Sequence, residues 1–125
     1  MQTREAFVGY LDETAPIDCP YGVVQRVVTG GAGGVANVHV VEVRRGTTHY
    51  HEGYDEIYYV LSGHGELVVG DERHSLRPGA VAVIPRGVPH SLCAAGREGG
   101  EGRLKFIIFG SPAMSIDDER AAPKN

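Results

Sequence analysis

Glycine and proline cut this chain into runs too short for helices. Its 18 glycines and 7 prolines, spread over 125 residues, leave stretches of four to nine residues rich in valine, isoleucine and tyrosine. β-Branched and aromatic side chains suit a pleated, half-buried surface, and short runs bounded by turn residues read as strands. The pattern predicts strands at residues 23–29, 35–43, 56–62, 66–69, 73–76, 80–84 and 103–109. No 3.6-residue period breaks the middle of the chain, so an all-β sandwich or barrel is the expected architecture. Gly63-His64-Gly65 predicts a hairpin turn joining the strands on either side of it, and 80–84 predicts a buried strand. Residues 1–22, with Pro16 and Pro20, read as an arm laid over a barrel at 23–110. Residues 111–125 read as a polar tail with room for one helical turn at 115–120. No internal repeat is present, which predicts a single unit.

Within that framework one segment points to chemistry. His49 and His51 stand one residue apart, Glu56 follows after four residues, and His90 lies in Pro85-Arg-Gly87-Val-Pro-His90. Along a strand, residues i and i+2 project from the same face, so His49 and His51 share a face and Tyr50 takes the other. Three imidazoles and one carboxylate form a shell suited to a divalent transition metal. Such a shell leaves one or two positions of an octahedral complex for water or substrate. Iron(II) or manganese(II) comes first; zinc, nickel, cobalt and copper also fit.

These residues resemble the cupin family. The first cupin motif is matched by His49-x-His51, four residues, Glu56, six residues and Gly63, although only two residues separate Gly46 from His49 where the family has more. The second is matched by Gly79, five residues, Pro85-x-Gly87, two residues and His90, with Ala94 where asparagine is usual. The resemblance implies a cupin-type jelly-roll barrel, also called a double-stranded β-helix. It further implies that His49, His51, Glu56 and His90 hold the metal, and that edge strands are covered in a homodimer.

Parity nominates further residues. If Glu56 points inward, so do Tyr58 and Val60, which places the Tyr58 phenol either as a catalytic proton donor near the metal or as a packed aromatic with its hydroxyl tied to a neighbour. His39 lies on a strand apolar on both faces and is expected to be structural or exposed. Tyr50, Tyr54 and His64 are expected at the rim or outside. Arg86 reads as a turn residue, and Glu52 and Asp55 lie near the metal loop but off the ligand spacing. Cys93 has the opposite parity to His90 and reads as a small core residue.

Several classes are disfavoured. A net charge of −4 without a basic cluster argues against nucleic acid. No apolar run has the length of a membrane helix, and the N-terminus lacks the layout of a secretory signal. Two cysteines without a CxxC pairing suit reduced thiols, so a cytoplasmic address is expected. Gly30-Gly-Ala-Gly-Gly34 lacks the lysine-serine ending of a phosphate-binding loop, and His51-Glu52 lacks the second histidine of a zincin helix. The expectation is a metal-dependent enzyme acting on a small-molecule substrate inside the barrel. A dioxygenase-type oxidoreductase comes first, a redox-neutral isomerase, epimerase or lyase second, and a non-catalytic binding module third.

Overall fold

The computed structural model describes residues 6–19, 22–29, 36–43, 49–51, 53–95, 103–112 and 119–121, with the backbone alone at 19, 49–51 and 119–121. After a 3₁₀ turn at Leu11–Glu13 come strands β1 (Ile17–Cys19), β2 (Gly22–Val28), β3 (Asn37–Val43), β4 (His49–His51), β5 (Asp55–Gly63) and β6 (Gly65–Val69). They continue as β7 (Glu72–Leu76), β8 (Val81–Ile84), β9 (His90–Ala94), β10 (Leu104–Ser111) and β11 (Glu119–Ala121). The strands form two antiparallel sheets: one ordered β1-β2-β3-β10-β5-β8, the other β11-β4-β9-β6-β7. Together they make the jelly-roll barrel expected from the short, punctuated runs.

The turns explain much of the punctuation. Gly70, with φ +58°, opens the two-residue β6–β7 connection, and a positive φ at that first position is what a type II′ hairpin requires. Pro78-Gly79 sits at the centre of a turn closed by the Ala80 amide donating to the Arg77 carbonyl at 3.0 Å, with Gly79 at φ +90°.

Gly63-His64-Gly65 does something different from the expected hairpin. β5 pairs with β10 and β8, whereas β6 pairs with β7 and β9, so the chain crosses from one sheet to the other here. Gly63 has φ +82°, and a Cβ there would collide with the Arg103 carbonyl; at Gly65 it would collide with the Cys93 carbonyl. The two glycines let three backbones meet at a barrel corner.

Inward-facing side chains divide the interior by polarity. Val41, Val43, Val60, Leu67, Leu76, Leu92, Leu104 and Phe106 close one end as an apolar plug. Asn37, His39, Glu56 and His90 are buried toward the other. Outside, Gln25 donates to the carbonyls of Leu11 and Thr14 at 3.1 and 3.0 Å, pinning the arm to β2. The sheets extend on both sides of 23–110: β1 adds a strand from the arm segment and β11 one from the tail.

Two expectations about burial are corrected. The strand at 80–84 is an edge strand with only Ile84 buried; Val81 and Val83 are 60% and 67% exposed. Cys93 is a free, exposed thiol, because its opposite parity to His90 turns it out of the barrel. Gly46, the loops at 30–34 and 96–102 and most of the tail's helical turn lie outside the described residues. Among the described residues no helix is long and apolar enough to cross a membrane.

Candidate metal and substrate site

The four expected ligands come from three strands of both sheets. Glu56 begins the inward series of β5 in the six-stranded sheet, and His90 opens β9 in the five-stranded one. Both are nearly sealed from solvent, at 2% and 1% exposure. Register sets His49 of β4 directly opposite His90. Alternation puts His51 on the same face of β4 as His49, although the side chains of both histidines lie outside the described residues.

Local sequence holds His90 in place. Pro85-Arg86-Gly87-Val88 is a turn in which the Val88 amide donates to the Pro85 carbonyl at 3.3 Å and Gly87 takes φ +78° at the third position. That turn presents the Val88 carbonyl to His90 Nδ1 at 2.9 Å. Nδ1–H donates there, so in the neutral ring Nε2 carries the lone pair. Arg86 is the expected turn residue with a second task. Its backbone amide, Nε and Nη2 reach the Asp55 carboxylate at 2.9, 3.3 and 3.4 Å, tying the second motif to the start of β5. The hydrogen bonds from Arg86 hold the Asp55 carboxyl below its ordinary pKa, so Asp55 serves this clasp.

Between the two sheets stands Tyr58, two residues beyond Glu56 and 2% exposed. β5 runs without a bulge through Ile57, so the alternation that turns Tyr58 inward is kept. Its hydroxyl donates to Glu56 Oε1 at 3.0 Å and lies 3.0 Å from His90 Nε2, while Oε1 and Nε2 are 3.4 Å apart. The ring packs on Phe106 at a centroid distance of 4.9 Å. Three lone-pair-bearing atoms thus converge, and the imidazole–carboxylate donor set is one a divalent metal fits. Glu56 and His90, with His49 and His51 from β4, are the residues that would hold it.

Of the other positions, Tyr54 departs from expectation and His64 and His39 do not. Tyr54 is buried, since it shares the parity of Glu56 and Tyr58. His64 is exposed, and the Tyr50 and Glu52 side chains lie outside the described residues. His39 is structural in its burial, at 8% exposure, and faces the interior. Its Nε2 lies 3.2 Å from Asn37 Nδ2, which donates to it. Burial, aided by the charge of Arg26 and opposed by Glu56, lowers the His39 pKa to about 4, which leaves a neutral imidazole. Asn37 and His39 line up with the site: Asn37, Gly110 and Glu56 form one cross-strand row, and His39, Ile108 and Tyr58 the next. The sequence does not single out Asn37 and leaves the direction of His39 open. The signal was two polar residues at a two-residue spacing in a run otherwise made mostly of valine.

Comparison with known proteins agrees with this architecture. Residues 37–109, more than half of the chain, match the cupin domain family. The chain belongs to that family. A protein of Planctomyces limnophilus is 27% identical, with a TM-score of 0.81 over 93% of this chain and 96% of that one. The nucleoside dehydratase Pac13 of Streptomyces, 19% identical over 94% of this chain and 92% of its own, superposes with a TM-score of 0.73, a likeness of fold alone. An uncharacterised protein of Methanocaldococcus jannaschii is 30% identical over 70 residues; the match spans 56% of this chain and about half, 53%, of that relative.

Proposed function

We propose that this cupin is a metal-dependent enzyme that moves a proton on a small polar molecule at the polar end of the barrel, a redox-neutral reaction of the isomerase, epimerase or lyase kind. The observation that carries the reading is the Tyr58 hydroxyl, 3.0 Å from both Glu56 Oε1 and His90 Nε2 in a buried site. A phenol in that position gives or takes a proton at Oη, with Phe106 holding its ring in place. His39, kept neutral, adds a polar imidazole beside it and no second base. A divalent metal held by His49, His51, Glu56 and His90 would supply Lewis-acid polarisation of a substrate oxygen. These acid–base groups favour this reading over the dioxygenase placed first by the sequence.

The test has two parts. Metal content of the purified protein, measured for wild type, His51→Ala and His90→Ala, should fall markedly in both variants; unchanged stoichiometry sinks the metal assignment. Wild-type protein loaded with manganese, zinc or iron is then incubated in D2O with candidate hydroxy and oxo compounds. Deuterium incorporation at carbon without dioxygen uptake supports proton transfer. Dioxygen uptake by the iron form points to the oxygenase, and saturable binding with neither outcome points to a binding module.

We infer also that the working unit is a homodimer. The outer face of the six-stranded sheet bears Ile57, Tyr59, Leu61, Val81, Val83 and Phe109, all exposed, and a contiguous apolar patch of this kind marks an interaction surface.

A further inference from the structure

The inner face of the six-stranded sheet carries a cation that the metal site does not use. Arg26 of β2 pairs in register with His39 of β3, His39 with Ile108 of β10, and Ile108 with Tyr58 of β5. Directly opposed residues share a face, and buried His39 and Tyr58 identify that face as the interior. Arg26 also lies two residues from Val24, a core residue on the same strand. Its charge is felt inside the barrel, where it helps to keep His39 neutral. Arg73, Arg86 and Arg103 each hold a carboxylate. Half-buried Arg26 has no ion-pair or hydrogen-bond partner among the described residues.

A half-buried guanidinium on the inner face of a sheet presents a planar fork matched to a carboxylate. The groups beside it are neutral and polar: the Asn37 amide and the His39 imidazole. Between Asn37 and Glu56 the row is occupied by Gly110, which contributes no side chain. A planar carboxylate fits that fork beside neutral neighbours, and phosphate is the competing anion. Resting on the reading of this cavity as a small-molecule site, we propose that its ligand is a small hydroxy- or oxo-carboxylate. Arg26 holds the carboxylate, Asn37 and His39 bind the adjacent oxygens, and the carbon chain crosses Gly110 toward Glu56, Tyr58 and His90. Arg26 and Tyr58 stand three strand spacings apart, about 14 Å along the sheet; their side chains span part of that, leaving room for a chain of roughly four to six carbons.

The test is calorimetric titration of the purified metal-loaded protein with glycolate, lactate, 2-oxoglutarate and gluconate. Sorbitol is titrated as the uncharged counterpart of gluconate, and inorganic phosphate as the competing anion. At least one four- to six-carbon carboxylate should bind, ten-fold or more tighter than sorbitol and phosphate. Arg26→Gln should weaken that carboxylate ten-fold or more while sorbitol binding, metal content and melting temperature hold. Arg26→Lys, which keeps the charge and loses the fork, should weaken it by a smaller factor. The proposal is overturned if no carboxylate binds, if sorbitol or phosphate binds as tightly, or if Arg26→Gln binds as wild type does. Metal retained without carboxylate preference defeats this inference alone; carboxylate binding in protein that never takes up metal defeats the metal reading alone.

Discussion

At the scale of single residues, Tyr58 and His39 separate what a side chain does for the fold from what it does for chemistry. Tyr58→Phe keeps the ring on Phe106 and removes only the hydroxyl between Glu56 and His90. Metal content should therefore hold, and turnover, once a substrate is in hand, should fall by about 10²- to 10⁴-fold, as for loss of a general acid or base. Wild-type turnover in this variant would reduce Tyr58 to packing. His39 makes a different prediction. Its folded-state pKa of about 4 lies below the ordinary 6.5, so as pH falls the unfolded chain takes up this proton first. Stability should rise with pH between about 4 and 6.5 and gain nothing more from this group above that window. The share is roughly 3 kcal/mol at most, from about 1.4 kcal/mol per pKa unit. Urea unfolding at pH 4, 5, 6 and 7 should show a shallower slope in His39→Gln than in wild type, and equal slopes would contradict the burial argument. Parity from Glu56 was enough to send Tyr58 inward. The direction of His39 was not readable, because β3 carries apolar residues on both faces and neither face is fully exposed.

Secondary-structure elements were legible by existence and less so by partnership. Valine-rich runs and their bounding glycines located seven of the strands. The three-residue strands β1, β4 and β11 owe their pairing to neighbours, and nothing in so short a run announces it. The same limit produced the expected hairpin at Gly63-His64-Gly65: two strands flanking a glycine-rich turn look alike whether they pair or part to different sheets. The glycines themselves carry a test of the corner. Gly63 and Gly79 both have positive φ, +82° and +90°, but only Gly63 has backbone where a Cβ would go. Gly79→Ala should cost only the left-handed strain of about 1–2 kcal/mol. Gly63→Ala adds a steric collision with the Arg103 carbonyl and should cost clearly more, reducing the urea midpoint further than Gly79→Ala does. Equal losses would mean that the corner yields freely.

The molecule as a whole divides into an apolar plug, a polar mouth and one apolar outer face, and the last bears on assembly. Cross-strand register builds that face in two rows, Val38–Phe109–Ile57–Val83 and Val40–Ile107–Tyr59–Val81. Over β2 the arm is held by Gln25, and Val40, opposite Gln25 in β3, is buried. Over β5 and β8 nothing among the described residues covers that face, and β8 is also a sheet edge with backbone groups open to pairing. A second copy brings the same apolar rows to the same place, and a two-fold axis lets one patch cover itself. Light scattering at micromolar concentration should give twice the chain mass of 13.4 kDa. Val83→Lys should shift it to one chain mass, because burying an unpaired ammonium at a dimer interface is strongly unfavourable. In the separated chain Val83 is mostly exposed, so the substitution itself should change folding stability by only about 0.5 kcal/mol, and the loss of the dimer cannot be laid to unfolding. A monomeric wild type would remove the dimer; a Val83→Lys dimer as tight as wild type would move the interface off this face.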